Sequence, residues 1–153
     1  MLVSITPLPS QAENGIEADV PNKPLAHPES ASAELDKIQS DFAESLKEDE
    51  AEAIIDHASE NIRIYRRGEL PAIGKTAAKK IIADENAETT RAPLGAGTSN
   101  PIGLAYEYGE YTSERDNTKQ RGIYLSIWRL ESDGAWKLAL DLQKSAPEKN
   151  PSP

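Results

Sequence analysis

Residues 121–143 carry the strongest local signal in the chain, because two strand-like runs flank a short turn. The runs, 121–130 and 136–143, are rich in aromatic, aliphatic and β-branched residues, which favour strands. Between them lies Asp133-Gly134, a dipeptide typical of tight hairpin turns. The sequence therefore predicts a β-hairpin, and we expect the rest of the domain to pack around it.

The register of this hairpin decides which side chains share a face, because residues alternate across a strand. A three-residue loop, 132–134, would place Trp128 opposite Leu138 and Leu125 opposite Asp141. We prefer this loop to a two-residue loop, since it gathers both tryptophans on one face. It also directs Asp141 away from the tryptophan face.

The opposite face of the hairpin is apolar as well, since it carries Ile123, Leu125, Ile127 and Ala139. A sheet with two apolar faces requires a cover on each of them. Helices of the same chain can cover one face, and a second subunit can cover the other. The sequence therefore predicts a homodimer.

The two ends of the 153-residue chain differ in composition from its centre. Residues 1–29 contain five prolines and residues 145–153 contain three, and neither segment has the periodicity of a helix or strand. We therefore expect disordered tails at both ends. The remaining segment, 30–144, is long enough for one domain with a single core.

The N-terminal tail has two interpretations. Residues 2–8 are mildly apolar, and Ser10-Gln11-Ala12 has the small-x-small form of a signal-peptidase site, but the first basic residue is Lys23. The segment is either an ordinary flexible tail or the remnant of a signal peptide that ends at Ala12. The second interpretation predicts an exported or periplasmic protein, and the first allows a cytoplasmic one.

Charge and composition exclude several classes of function. The net charge of −9 disfavours binding to nucleic acid, which requires a basic surface, and to anionic membranes. The absence of cysteine excludes thiol chemistry and thiolate metal sites. No apolar run is long enough to span a bilayer.

Three segments have helical periodicity. The first, 30–47, has its apolar residues at helical spacing: Leu35, Ile38, Phe42 and Leu46. The second begins after Asp49, with Glu52 at the spacing of a capping box. The third covers 74–83.

Strand patterns fill most of the remaining domain. Residues 61–67 and 102–112 alternate as strands do, whereas 85–101 contains prolines and glycines and predicts an irregular edge strand with a loop. Residues 113–120 are charged and predict a connection. The order of elements predicts an α+β fold, in which a curved antiparallel sheet packs three helices on its concave face and leaves a pocket.

The order and spacing of several motifs resemble the SnoaL-like, ketosteroid-isomerase-like branch of the nuclear transport factor two-like superfamily. The resemblance covers about residues 33–143 and rests on a Gly-x-x-Pro-x-x-Gly-Lys turn before a helix, glycine-tyrosine strands and the closing hairpin. The matching positions are Arg66, Gly68, Pro71, Gly74, Lys75, Tyr106, Gly109, Tyr111, Gly122, Trp128, Arg129, Gly134, Trp136, Lys137 and Asp141.

This resemblance implies a cone-shaped fold, often dimeric, but no single reaction. Members include isomerases, dehydratases, cyclases and many proteins without a known reaction. The cyclase-like members tend to place histidines on the last strand, where this chain has Leu140 and Leu142. The isomerases pair a carboxylate base with a tyrosine and a second acid, and these roles have no matching positions here.

Five aromatic residues are candidates for the wall of the predicted pocket: Tyr65, Tyr106, Tyr108, Tyr124 and Trp128. An apolar surface with a few hydroxyl groups would suit a small apolar or aromatic ligand. Alternatively, these residues are core aromatics whose polar ends find local partners. Arginines near Tyr65 could bind an acidic group of the ligand or remain solvated: Arg63, Arg66 and Arg67.

Asp141 is a further candidate, because it interrupts an apolar strand. A buried carboxylate must either be paired with a cation or have a raised pKa, as a general acid or base does. Basic residues are plentiful nearby, so we favour a structural ion pair with Arg129, Lys137 or an arginine of segment 62–67.

Other motifs do not predict a site. Gly74-Lys75-Thr76 lacks the glycine spacing of a phosphate-binding loop. His27 lies in the predicted tail, and His57 has too few neighbouring ligands for a metal. We therefore predict no metal and no cofactor.

Two functions remain open. The first is a protein that binds a small apolar or aromatic molecule in the pocket of the cone, or acts as an interaction module. The second is a cofactor-independent isomerase or lyase that works by proton transfer. The sequence favours the first, because no buried acid–base pair is evident.

Overall fold

The computed structural model describes residues 28–99 and 103–147. The predicted N-terminal tail up to residue 27, with the suggested signal-peptide remnant, lies outside the described residues, as does the C-terminal segment 148–153. The last strand ends at Ser145, one residue beyond the predicted limit of the domain.

Three helices and six strands form the domain. The helices are α1 (Pro28–Leu46), α2 (Glu50–His57) and α3 (Lys75–Glu85). The strands are β1 (Ala58–Tyr65), β2 (Ala72–Ile73), β3 (Glu88–Ser99), β4 (Leu104–Arg115), β5 (Thr118–Leu130) and β6 (Trp136–Ser145). Asp49 caps α2 as predicted, since its carboxylate accepts a hydrogen bond from the Glu52 backbone N–H at 2.9 Å.

All strands belong to one curved sheet with the order β2-β1-β6-β5-β4-β3. Every neighbouring pair is antiparallel except β1 and β6, the second and third strands of this order, which run parallel. The α+β class and the curved sheet with three helices on one side are confirmed.

The helices cover one face of the sheet, which we call the inner face. The buried core joins Leu35, Phe42, Ile54 and Ile82 of the helices to the sheet residues Ile62, Ile64, Trp128, Trp136 and Leu138. Both tryptophans therefore face the helices, as the sequence predicted.

Two segments are more regular in the structure than the sequence predicted: a charged connection, and an irregular edge strand with a loop. The charged segment 113–120 is not a connection, because β4 and β5 continue to a two-residue turn at Asp116 (φ 50°) and Asn117 (φ 61°). Short polar side chains tolerate this left-handed backbone, so both strands run to the turn. Segment 88–99 is a continuous edge strand, and a bulge at Leu94 absorbs the irregularity beside Pro93.

The hairpin of β5 and β6 contains a bulge that the sequence did not reveal. Trp128 pairs with Leu138 as predicted, but Ile127 pairs with Leu140, so Ala139 is an extra residue on β6. One extra residue reverses the alternation of all residues that follow it.

The bulge changes the position of Asp141. The prediction that Leu125 faces Asp141 is wrong, since Asp141 pairs with Ser126 and Leu125 with Leu142. Asp141 therefore lies on the inner face with the tryptophans rather than away from them. Leu142 moves to the outer face in exchange.

Candidate functional site

Asp141 is the centre of a buried ion cluster on the inner face. Its side chain has no solvent exposure, and both of its oxygens bind Arg91, with Nη1 at 2.8 Å from Oδ2 and Nη2 at 3.0 Å from Oδ1. Ser126 donates a hydrogen bond to Oδ2 at 2.9 Å. Arg66 Nη1 lies 2.9 Å from Oδ1. The carboxylate is thus surrounded by donors.

A second carboxylate balances the second arginine. Glu50 Oε1 accepts hydrogen bonds from Gln143 Nε2 at 2.9 Å and from Arg91 Nη2 at 3.4 Å, and it lies 3.6 Å from Arg66 Nη2. Only 8% of the Glu50 side chain is exposed. It occupies the first turn of α2, where the helix dipole also favours a negative charge. Two arginines and two carboxylates therefore share one buried site, and Glu85 adds a third, partly exposed carboxylate 3.3 Å from Arg66 Nε.

Four elements bring these groups together. The bulge in β6 directs Asp141 inward, and the parallel ladder aligns it with Ile64, two residues before Arg66. Arg91 reaches the site from β3, and its guanidinium lies 4.7 Å from the centre of the Tyr124 ring. Long side chains from distant strands thus converge at the middle of β6.

The charges of the cluster are fixed by their mutual attraction. Burial alone would raise the pKa of Asp141, but Arg91 and Arg66, with the hydrogen bond from Ser126, hold it well below its usual range. Burial opposes the charge of Arg91 as well, and Asp141 and Glu50 reverse that effect and raise the Arg91 pKa. Asp141 is therefore an ionised structural partner rather than a group poised to exchange protons near pH 7.

Tyr124 lies beside this cluster, and its hydroxyl group also has a hydrogen-bond partner. Its hydroxyl donates a hydrogen bond to Glu107 Oε1 at 2.8 Å, and its ring covers Gly109 closely. Burial, together with the bond to Glu107, raises the pKa of Tyr124 above its ordinary value. The phenol is therefore a neutral donor.

The structure separates the residues that were predicted to line one pocket. Tyr124, Trp128 and Asp141 lie together on the buried inner face. Tyr106 and Tyr108 lie on the opposite, outer face, paired with Ile127 and Leu125. Tyr65 is aligned with Leu142 and shares that outer face. The prediction of a common pocket is wrong, because alternation along each strand sends these tyrosines to the other side of the sheet.

The aromatic part of the inner face is packed core. Trp128 meets Phe42 edge to face, with 5.2 Å between the ring centres, and His57 lies against both rings. His57 Nδ1 is 2.8 Å from the Ala53 carbonyl oxygen. Trp128 thus contacts protein side chains where the sequence had suggested a ligand.

An open cavity of about 740 Å³ lies next to the ion cluster, and we call it the end cavity. It forms where β1 and β6 end while the β4–β5 hairpin extends further, because β6 pairs with β5 only as far as Gly122. Arg66, Glu85 and Gln143 connect its wall to the cluster. Hydroxyl, amide and charged side chains from the hairpin and the end of β6 form most of the rest.

The described residues offer no group of three or more His, Cys, Asp or Glu side chains arranged for a metal ion. Within 28–99 and 103–147, no helix has the length and apolar character needed to cross a membrane.

Sequence reasoning missed Glu50, Arg91 and Gln143. Glu50 looked like an ordinary acidic residue at a helix start, and Arg91 lay in the segment interpreted as irregular. A signal did exist for Gln143, since it stands two residues after Asp141 and shares its face. Arg66 was among the cations considered for Asp141, whereas Arg129 pairs with Glu131 instead.

Known proteins resemble this chain in structure. No protein-family model matches it, and no curated protein matches it by sequence. A ketosteroid isomerase-like protein from Erwinia carotovora atroseptica is 13% identical, with a TM-score of 0.63 over 75% of this chain and 96% of that one. An NTF2-like protein of unknown function from Pseudomonas putida is 13% identical, with a TM-score of 0.63 over 80% and 98%.

An enzyme is among the similar structures. The epoxide hydrolase/cyclase-like enzyme SalBIII, described for pyran ring formation in the polyether salinomycin, is 15% identical, with a TM-score of 0.59 over 75% of this chain and 92% of that one. TM-scores of this size establish a shared fold, and identities of 13–15% carry the likeness no further. The chain has the NTF2-like, cystatin-like fold, and the resemblance seen in its sequence is confirmed at that level.

The ion cluster predicts a large difference between two aspartates. Asp141→Asn leaves two buried arginines without a full counter-charge, which should lower the free energy of unfolding by about 3–5 kcal/mol. Asp84→Asn removes an exposed partner of Lys80 and should cost less than about 1 kcal/mol. Urea unfolding at pH 7 measures both, and equal losses would contradict the structural role of Asp141.

The depressed pKa of Asp141 also predicts a dependence on pH. An aspartate with a lower pKa in the folded state contributes stability above its unfolded pKa, about 4, and this contribution is lost as pH falls toward the folded pKa. The stability difference between wild type and Asp141→Asn should therefore shrink as pH decreases from about 5 to 2. Urea titrations across this range measure it, and a constant difference would contradict the pKa assignment.

Proposed function

We propose that this protein is a non-catalytic binding protein that works as a homodimer through the outer face of its sheet. The observation that carries the proposal is the burial of Asp141 on the inner face. Asp141, the acid that the sequence offered for catalysis, is fully buried and bound by two arginines. A general base must reach the proton that it removes, and this carboxylate cannot.

The outer face supports the binding role. Tyr106, Tyr108 and Ile123 expose 46%, 45% and 55% of their surfaces, although they are large apolar or aromatic residues. Half-buried aliphatic residues continue the surface between them: Leu125, Ile127, Leu140 and Leu142. Monomeric soluble proteins rarely expose a continuous apolar patch of this kind.

The register of β4, β5 and β6 places the apolar residues of the outer face side by side. Tyr106, Ile127 and Leu140 form one row across β4, β5 and β6, and Tyr108, Leu125 and Leu142 form the next. The two tyrosine rings stack with 6.4 Å between their centres. A second copy related by a twofold axis would present the same rows and cover the patch with an equally apolar surface.

Substitution within this patch tests the proposal. The double variant Tyr106→Lys, Tyr108→Lys places four charges in a twofold interface and should weaken dimerisation by more than about tenfold. The control is Thr112→Lys, which adds an exposed charge further along the same strand and face. Sedimentation equilibrium measures the mass.

We expect twice the mass of one chain for the wild type and the control, and the mass of one chain for the double variant. A wild type that stays monomeric at high concentration would disprove the homodimer. Circular dichroism of each variant shows whether the fold is retained.

One observation favours a second candidate, a cofactor-independent isomerase or lyase. Tyr124 and Glu107 place a phenol donor and a half-buried carboxylate 2.8 Å apart on the inner face. Such a pair contains the groups that proton transfer to and from a carbonyl compound needs.

Exchange of the α-protons of small ketones in deuterated water, followed by NMR, tests this alternative. A non-catalytic protein gives no exchange above the buffer rate. Exchange that requires the folded wild type and disappears in Glu107→Gln would replace our proposal with the enzymatic one.

A further inference from the structure

We propose that the end cavity binds a small molecule that carries an oxyanion group, and that Arg67 binds this group. The site meets the proposed dimer patch only at Ile123, since Tyr106, Tyr108 and the aliphatic residues between them do not line it. The inference therefore does not depend on the proposed homodimer.

Charge is the first argument. Five cationic side chains line the cavity: Arg66, Arg67, Arg115, Lys119 and Arg121. Only three acidic side chains line it: Glu85, Glu110 and Asp116. Arg66 is already balanced by Asp141 and Glu50, so the other four cations exceed the three acids by one, in a chain with a net charge of −9. This surplus would raise the local concentration of small anions.

An unpaired cation is the second argument. Arg67 is exposed and forms no ion pair with any other residue of the described ranges. Its guanidinium can form a bidentate, charge-assisted contact with an oxyanion in the cavity. Arg66 differs, because its side chain is only 1% exposed and its Nη2 is buried beside Glu50, so it supports the wall without reaching the ligand.

Other cations of the wall form only exposed ion pairs. Arg121 lies 3.5 Å from Glu110, and Arg115 lies 3.4 Å from Asp116. These side chains are more than half exposed, so their ion pairs contribute little and can rearrange around a ligand. They form an adaptable cationic rim above the more rigid Arg66.

The remaining wall suits a polar molecule. Tyr111 and Ser145 place their hydroxyl oxygens 3.4 Å apart, and Ser113, Gln120 and Gln143 add further donors and acceptors. Apolar side chains also line the cavity: Ala87, Ile123, Ala146 and Pro147. The ligand expected here is thus an anion with hydroxyl groups and an apolar part, rather than the wholly apolar molecule that the sequence suggested.

Arg66 and Arg67 have different roles. Arg66 is held by Asp141 on one side and by Glu85, 3.3 Å from its Nε, on the other, so it anchors the chain next to Arg67. Arg67 is exposed and supplies the charge that can approach the anion.

Calorimetric titration of the full chain at low ionic strength tests the site, with citrate and inorganic phosphate as probes. We expect saturable binding of at least one probe, with an affinity that falls as sodium chloride is added. Glycerol serves as the neutral probe and should give no binding. Preference for citrate would identify a carboxylate ligand, and preference for phosphate a phosphorylated one.

Two arginine variants assign the binding to the cavity. Arg67→Gln should weaken binding by at least about tenfold, since it removes a charge-assisted contact. Arg63→Gln is the matched control, because Arg63 is exposed on β1 and does not line the cavity. Both variants leave the buried ion cluster intact, so their unfolding curves should match the wild type.

Three outcomes would overturn the proposal. These are no binding of either probe to the folded wild type, equal losses in the two variants, and binding that Arg67→Gln leaves unchanged. None of these results bears on the mass measured for the dimer variants, so the two proposals can fail separately.

Discussion

The carboxylate of Asp141 is the group on which the arrangement of this domain depends. An ionised group without solvent exposure is stable only if cations and hydrogen-bond donors surround it. Arg91 from β3 and Arg66 from the end of β1 meet this demand, and Glu50 from α2 balances the second positive charge. One side chain thus ties together four elements that are far apart in the sequence.

The bulge at Ala139 makes this cluster possible. Without the extra residue, Asp141 would face outward with Leu125, and a leucine would occupy its place among the helices. With it, the first half of β6 supplies Trp136 and Leu138 to an apolar core, and the second half supplies polar groups. The inner face is therefore divided into an aromatic region and an ionic region.

The aromatic and ionic regions together limit the part of the inner face that a ligand could reach. Trp128 fills the aromatic region with Phe42, and the ionic region satisfies its own charges, so little of the inner face is available to a substrate. The same reversal of alternation places Leu142 beside the outer tyrosines and widens an apolar surface. The surfaces that we propose for recognition are therefore the outer face of the sheet and the cavity at the end of the sheet.

The sequence alone determined the α+β class, the three helices, the cap at Asp49 and the pairing of Trp128 with Leu138, because these features rest on local periodicity and turn chemistry. It did not reveal the bulge, the extension of β4 and β5 to Asp116-Asn117, or the arrival of Arg91 at Asp141. A bulge is set by how a strand fits all its neighbours at once, and an ion pair across 50 positions depends on their final arrangement. Only the tertiary structure could therefore decide which face Asp141 occupies, and with it where the tyrosines and the cavity lie.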